Sequence, residues 1–223
     1  MVKLGALALL LFQPVALAGS AVTEALSVGD CTGAIRAQGT QSAQGATALA
    51  LARCHLSQGD STAALQHLNN VSDAQLQPYA QALMGQAKLA AGSPSAATPH
   101  LRAALAADIL KDPVRSQARF ALAMAQVQTG NLDGARTGLN ALLTQHLAAP
   151  GRLPSPGGLD PAEVRWHLAD TAVRRDVPAR AILVWQAIWT RNPTSARSSD
   201  AAQRLRAAGA ACNSWGSNPL SCV

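Results

Sequence analysis

Apolar residues recur along the chain at intervals of three and four, the spacing that places them on one face of an α-helix. Leu65 and Leu68 share such a face, as do Leu139, Leu142 and Leu143. Gly, Asp, Asn and Pro separate these segments, as expected at helix ends. The pattern predicts helices at residues 21–28, 32–37, 46–58, 62–69, 76–91, 95–107, 113–129, 132–146, 162–175, 178–191 and 199–208.

Nothing in the pattern predicts strands. Aromatic and β-branched residues are sparse, and no alternating apolar run lies between hairpin turns, so an all-α fold is expected. Residues 147–160 are rich in Pro and Gly and are predicted to form an exposed loop. Such a loop is a binding element or a tolerated insertion, and the sequence favours the insertion.

One turn recurs between the predicted helices. In Gly130-Asn131-Leu132-Asp133-Gly134-Ala135, Gly ends one helix, and Asn and Asp offer caps for the next. Gly followed five residues later by Ala returns three more times, and a weaker copy without the Gly stands at Asp176 and Ala181. The three are Gly29/Ala34, Gly59/Ala64 and Gly92/Ala97. The repetition predicts helix–turn–helix units of about 30 to 45 residues.

These units closely resemble tetratricopeptide (TPR) repeats. In that family a Gly-Asp/Asn turn precedes an alanine by five residues, a bulky residue follows four later, and a proline ends the unit. The matching residues are Gly59-Asp60, Ala64 and Leu68; Gly92, Ala97 and Leu101; Gly130-Asn131, Ala135 and Leu139; Ala181, Trp185 and Pro193; and Gly85 at a small-residue position. The resemblance implies a right-handed α-solenoid of about five repeats over residues 19–208, with a C-terminal capping helix and an irregular tail at 209–223.

A narrower resemblance covers residues 181–205. They are similar to the helical repeats of bacterial envelope proteins, including outer-membrane assembly lipoproteins, tol-pal-associated proteins and the superhelical half of soluble lytic transglycosylases. Those enzymes carry a separate catalytic domain with a catalytic glutamate, to which nothing in this chain corresponds. Glu163 lies in the first turn of a predicted helix, where a carboxylate favours the helix dipole, so a structural role is expected for it. No enzyme activity, cofactor or catalytic residue is predicted.

Residues 1–18 have the features of a secretory signal peptide. Lys3 precedes a short apolar run, and Ala16-Leu17-Ala18 forms a small-residue cleavage site. The run falls short of the roughly 20 residues that span a bilayer, so the mature form is expected to be exported without a membrane span. In an oxidising compartment four cysteines favour disulfides over metal binding, for which no ligand spacing exists. Of the three possible pairings, Cys31–Cys54 with Cys212–Cys222 is favoured, because the first two lie at helix ends that should meet.

The formal charge is +6, and arginines outnumber lysines 15 to 3. This surplus indicates attraction to an anionic partner, such as a cell-wall polymer, lipid head groups or an acidic protein, or else a bias of composition. The composition bias is the favoured interpretation. Nucleic acid is not expected as a partner of an exported protein.

Solenoids bind partner segments on a concave face, so a binding function is predicted. All four tryptophans fall late in the chain, and Trp185 occupies a core position of its repeat. The predicted binding patch combines aromatic and cationic side chains, namely Trp166, Arg165, Arg174, Arg175 and Trp189. The expected function is that of an exported scaffold for a protein or peptide in the cell envelope. The alternative is a peptidoglycan-associated accessory, or the remnant of a lytic transglycosylase.

Overall fold

The computed structural model describes residues 21–147 and 158–209, and within these ranges the chain is all-helical. The helices are α1 (21–27), α2 (Cys31–Gln38), α3 (Gly45–Ser57), α4 (Ser61–Leu68), α5 (Gln77–Ala90), α6 (Pro94–Ala106), α7 (Val114–Gln128), α8 (Leu132–Leu147), α9 (Pro161–Arg174), α10 (Pro178–Arg191) and α11 (Ala196–Ala207). Successive helices pair as α1/α2, α3/α4, α5/α6, α7/α8 and α9/α10, and α11 follows alone. The all-α prediction is confirmed.

Each pair is joined by a tight elbow whose pivotal residue has a positive φ. Gly130 at +81° is representative, and its counterparts in the other elbows are Gly29, Gly59, Gly92 and Asp176. At the last elbow the N–H of Asp176 donates to the carbonyl of Val173, and the N–H of Val177 donates to that of Ala172. This is the Schellman arrangement, which satisfies the carbonyls at a helix end. The recurring turn therefore forms a positive-φ elbow five times, and both Schellman hydrogen bonds are present at the elbows of Gly29, Gly59, Gly92 and Asp176.

Side-chain caps begin the helices that follow three of these elbows. Asp30 Oδ1 accepts from the N–H of Gly33 at 2.8 Å, and Asp60 Oδ1 accepts from Ala63 at 2.9 Å. Asn131 Oδ1 accepts from Gly134 at 3.1 Å. The capping role predicted for the residue after the elbow glycine is confirmed at these positions.

The core is built from the recurring small residue of each unit. The five alanines that follow the elbows are fully buried, at 0% exposure: Ala34, Ala64, Ala97, Ala135 and Ala181. The bulky residue four positions later is also buried in the later units, as at Leu101, Leu139 and Trp185. Alanine lets two helices approach closely, and the larger side chain fills the space beside it. The core therefore continues from unit to unit, as expected of a solenoid.

The structure joins Cys31 and Cys54 in a disulfide with a Cα–Cα distance of 5.1 Å, as the sequence favoured. It ties the start of α2 to the last turn of α3. Residues 1–18, which carry the predicted signal peptide, and Cys212 and Cys222 lie outside the described residues. The right-handed sense of the array stays a prediction.

The last helix begins three residues earlier than predicted, whereas every other helix begins within one residue of its predicted start. The sequence predicted a final helix from 199, whereas α11 begins at Ala196, because Ser195 caps it by accepting from the N–H of Arg197. Its outward residues, including Ser199, Gln203 and Arg206, are exposed and polar. A polar outer face is what a terminal helix of a solenoid requires, so α11 has the character of a capping helix.

Candidate functional site on the inner face

The first helices of successive pairs lie side by side. Direct contacts join α3 to α5, α5 to α7, and α9 to α11. Between α7 and α9, the rings of Phe120 and His167 meet edge to face, with centroids 5.4 Å apart. We call the surface formed by α3, α5, α7, α9 and α11 the inner face, because the corresponding surface of a helical-repeat solenoid is its concave binding side.

An open groove of about 430 Å³ lies on the inner face between α5 and α7. We call it the inner groove. Its lining comes from one stripe of each helix and from a residue two positions before the start of α9: Gln86, Leu89, Ala90, Gln117, Phe120, Ala121, Met124 and Leu159. Positions 117, 120, 121 and 124 follow the three- and four-residue spacing of one helix face, so α7 presents them together. The result is a concave, largely apolar surface of the kind that binds ligands.

Gln86 and Gln117 are the polar residues of the groove lining, and the two are on different helices. Gln86 has a further peculiarity. Its Nε2 atom is buried and has no hydrogen-bond partner among the described residues. A buried amide without a partner costs free energy, on the order of 1–3 kcal/mol.

Beside the groove, a charged cluster joins α9 to α11. Arg197 Nε donates to Glu163 Oε2 at 2.6 Å, and Arg197 Nη2 donates to Oε1 at 2.9 Å. Arg197 Nη1 also donates to Asp200 at 3.1 Å. The hydrogen bond from Arg197 lowers the pKa of Glu163, although burial opposes the shift, and the pair raises the pKa of Arg197. Glu163 is therefore held as a carboxylate that fixes α11 against α9.

Trp166 lies under two guanidinium groups of α11. The Cζ atom of Arg197 is 5.0 Å from the ring centroid, and that of Arg204 is 5.8 Å from it. Both distances are within the range of a cation–π interaction. Trp166 therefore forms the floor of a basic and aromatic surface at the C-terminal end of the inner face.

His167 connects this cluster to the inner groove. Its Nε2 atom lies 3.0 Å from Glu163 Oε1, and its ring meets the ring of Phe120, which lines the groove, edge to face. The groove and the charged cluster are thus neighbouring parts of one surface.

The five predicted patch residues occupy different environments. Trp166 and Trp189 are half-buried, and Arg174 is exposed and paired with Asp170 at 2.9 Å. Arg175 contacts Asp133 at 2.7 Å, which ties the last elbow to the one before it. Trp185 is 8% exposed and belongs to the core, as predicted. The structure brings Trp166 to the inner face and places Arg174 and Arg175 at the C-terminal end of α9.

Arg165 does not contribute to an exposed surface. It is 7% exposed, and its Nη1 atom donates to Asn192 Oδ1 at 2.7 Å, which joins α9 to the end of α10. Burial and the nearby charge of Arg191 lower the pKa of Arg165, and Asp160 opposes the shift. Its role in the structure is to anchor one helix to the next.

Sequence reasoning missed Arg197, Arg204 and the groove residues. Glu163 and Arg197 are 34 positions apart and belong to different helices, so no local spacing links them. Phe120 and Met124 have the same spacing as core residues on the same helix. One feature of the sequence could have indicated the groove: Leu89, Phe120 and Met124 are large apolar residues in segments that are otherwise rich in alanine.

Comparisons with known proteins agree with this architecture. A family model described as a tetratricopeptide repeat matches residues 117–146, which include the Gly130 elbow. Among solved structures, MamA 41-end from Desulfovibrio magneticus RS-1 is similar with a TM-score of 0.60 and 16% identity, over 82% of this chain and 98% of that one. A crystal structure of MamA protein has a TM-score of 0.59 and 14% identity, over 92% and 98% of the two chains. MamA MSR-1 C2 has a TM-score of 0.58 and 15% identity, over 86% and 97%.

These likenesses to solved structures show the fold. No curated protein matches the chain. The resemblance to soluble lytic transglycosylases gains no support from the comparisons, whereas the tetratricopeptide resemblance is confirmed. None of the helices in residues 21–147 and 158–209 has the length and apolar character that crossing a membrane requires. The described part of the chain therefore has the fold of a TPR-like helical-repeat solenoid, and the tetratricopeptide match itself covers residues 117–146.

Proposed function

We propose that the chain is an exported scaffold that binds a segment of a protein or peptide partner in the bacterial cell envelope. The partner would lie in the inner groove. The observation that carries the proposal is the open apolar lining supplied by Leu89, Phe120, Met124 and Leu159. Concave apolar surfaces with a few polar groups are where proteins bind ligands.

The size of the groove sets the strength of binding. A volume of about 430 Å³ holds roughly two large apolar side chains, and burying each contributes about 1.5–3 kcal/mol. Association costs several kcal/mol in lost freedom, so the groove alone supports weak and reversible binding. Higher affinity would require further contacts along the inner face.

Export is part of the proposal. The Cys31–Cys54 disulfide supports it, because such bonds persist in oxidising compartments. Cell fractionation with intact-mass measurement under alkylating, non-reducing conditions tests it. A protein recovered from the cytoplasm with all cysteines alkylated and residues 1–18 retained would contradict export.

Peptidoglycan is the alternative partner. Its glycan strands and peptide stems are rich in hydroxyl and amide groups, to which the apolar lining of the inner groove is poorly matched. Saturable sedimentation with purified cell wall that survives Met124→Gln would favour this alternative.

Photo-crosslinking in living cells tests the groove. A benzophenone amino acid at Ala90, which lines the groove and is exposed, should capture a discrete partner. The same amino acid at Ser95, exposed on α6, is the matched control and should not capture it. Met124→Gln should suppress capture from position 90 without lowering the melting temperature by more than a few degrees. Identical products from both positions, or capture that Met124→Gln leaves unchanged, would overturn the proposal.

A further inference from the structure

Two histidines stack on each other across the second helix pair. The ring of His55, in the last turn of α3, and that of His67, near the end of α4, have centroids 5.2 Å apart and planes inclined by 25°. The side chain of His55 is 13% exposed, and its Nδ1 atom is buried without a hydrogen-bond partner among the described residues. We call this pair of rings the histidine stack, and it forms part of the contact between α3 and α4.

The two rings have different charged neighbours. Asp60 Oδ2 lies 3.6 Å from His55 Nδ1, while Oδ1 of the same carboxylate accepts from the N–H of Ala63 and caps α4. A proton on His55 therefore has a carboxylate to pair with. Within the described residues no carboxylate lies at ion-pair distance from His67. The histidine stack thus has one acidic partner for its two rings.

No other titratable group near the stack supplies a second acid. The remaining candidates lie on α3, in the loop after α4 and on the neighbouring helices α2 and α5, and they are Arg53, Asp73, Asp30, Arg36, Tyr79 and Lys88. Asp30 and Asp73 accept from backbone N–H groups of their own segments. Arg36 and Arg53 are exposed, and cations would only oppose further protonation.

Protonation of His67 is unfavourable in the folded chain. Burial lowers the pKa of His67 from 6.5, and the charge of His55 lowers it further. The unfolded chain therefore takes up this proton more readily than the folded chain does. By linkage, the stability that depends on neutral His67 is present above pH 6.5 and is lost as the pH falls through 6.5 towards the lowered pKa. Carboxylates stay ionised down to about pH 4.3, so this loss comes first.

The disulfide determines which helix responds. Cys54 directly precedes His55 and ties the last turn of α3 to Cys31 at the start of α2. By contrast, α4 has eight residues, of which Ala64 and Leu68 are buried. Solenoid units interact mainly with their neighbours, so α4 can separate from α3 without unfolding the later units. The covalently held helix remains in place, and the short one gives way.

We propose that the histidine stack is an acid-sensitive contact that holds one proton, and that a second proton releases α4 from α3 while the C-terminal units stay folded. The cause is repulsion between two imidazolium rings about 5 Å apart that share one carboxylate. This property is separate from binding in the inner groove. Export, as proposed above, would expose the stack to the pH outside the cytoplasm.

Hydrogen exchange of the purified protein at pH 7.5 and pH 5, corrected for the intrinsic pH dependence of exchange, tests the proposal. Between these values, protection in α4 should fall at least about threefold more than protection in α9 and α10. His67→Gln removes the titrating ring and should abolish this excess. His100→Gln is the matched control, because burial also lowers the pKa of His100, which lies on α6. It should leave the acid response of α4 unchanged.

NMR titration of the imidazole rings tests the coupling between them. His67 should titrate below pH 6.5 in the wild type, and its midpoint should rise in His55→Gln, which removes the facing charge. Asp60→Asn keeps a capping side chain but removes the carboxylate, so α4 should open at a higher pH than in the wild type.

Three results would overturn the proposal. One is a His67 midpoint that His55→Gln leaves unchanged. Another is an acid response of α4 that is the same in His67→Gln as in the wild type. The third is exchange that accelerates equally in every helix, which would show general acid unfolding instead of local release.

Discussion

Glu163 of α9 and Arg197 of α11 form a two-point ion pair, with contacts of 2.6 and 2.9 Å. The pair fixes the last helix of the array to the preceding first helix. Because Glu163 also meets His167, which packs on Phe120, the same carboxylate connects the capping helix to the wall of the inner groove. The position of Glu163 in the first turn of α9 predicted only a favourable interaction with the helix dipole. In the structure Glu163 also connects three helices, α7, α9 and α11.

The first prediction concerns pH. Because Arg197 lowers the pKa of Glu163 in the folded state, the pair stabilises the fold above the ordinary carboxyl pKa of about 4.3. That contribution is lost as the pH falls through the lowered pKa. Glu163→Gln should therefore cost about 1 kcal/mol at pH 7, and the difference from wild type should shrink towards pH 3, as measured by urea unfolding.

Asp170→Asn is the control for this variant. Asp170 pairs with Arg174, and both side chains are about half exposed, so its loss should change the free energy of unfolding little. Equal effects of the two variants at pH 7 would contradict the role given to Glu163.

The second prediction compares two glycines inside helices. A Cβ at Gly85 would lie 2.4 Å from Leu101 Cγ, so Gly85→Ala should force α5 and α6 apart and cost about 1–3 kcal/mol. A Cβ at Gly138 would lie 3.6 Å from Ala123 Cβ, an ordinary contact. Gly138→Ala should therefore stabilise α8 by up to about 1 kcal/mol. Urea unfolding measures both variants, and similar changes of the same sign would contradict the packing of α5 on α6.

The third prediction concerns the elbows. Asp176 has a φ of +58° where the other elbows have glycine, so Asp176→Gly should stabilise the protein by about 0.5–1 kcal/mol. Gly130→Ala, at a φ of +81°, should destabilise it by about 1–2 kcal/mol. Thermal melting of the two variants should show shifts of opposite sign. A fall in melting temperature for Asp176→Gly would count against the assignment of a shared elbow conformation.

The fourth prediction concerns the disulfide. Cys31 and Cys54 are separated by 23 positions, and closing a loop of this size stabilises a fold by about 3 kcal/mol in the chain-entropy description. The Cys31→Ser/Cys54→Ser variant should therefore unfold its first two helix pairs more readily. Hydrogen exchange should accelerate in α2 and α3 and remain unchanged in α9 and α10, because solenoid units interact mainly with their neighbours. Faster hydrogen exchange in every helix of the array would contradict this prediction, because it would show that the disulfide stabilises units beyond its neighbours.

The repeat architecture was predictable because its determinants are local. Gly130 and Asn131 set an elbow and a cap within a few residues, and Ala135 marks the buried position that follows. The buried alanine recurs in all five units, the elbow glycine in four and the side-chain cap in three, so each repetition strengthens the prediction. The Cys31–Cys54 disulfide could also be predicted from the sequence, because the antiparallel packing of neighbouring helices brings their ends together.

The inner face was less predictable because it depends on contacts between units. Arg165 and Arg174 stand nine positions apart on α9, yet the first is buried against Asn192 and the second is exposed. The spacing of the two residues in the sequence does not show which face of α9 packs against α10. Likewise, Phe120 has the periodicity of a core residue, and only the position of α5 leaves it in an open groove.

Hydrogen exchange of the purified protein with and without the partner identified by crosslinking tests the central claim most directly. Binding in the inner groove should slow exchange in α5 (Gln77–Ala90) and α7 (Val114–Gln128), and Met124→Gln should abolish that protection. The second helices α6, α8 and α10 should change little. Protection confined to these second helices, with α5 and α7 unaffected, would contradict binding on the inner face.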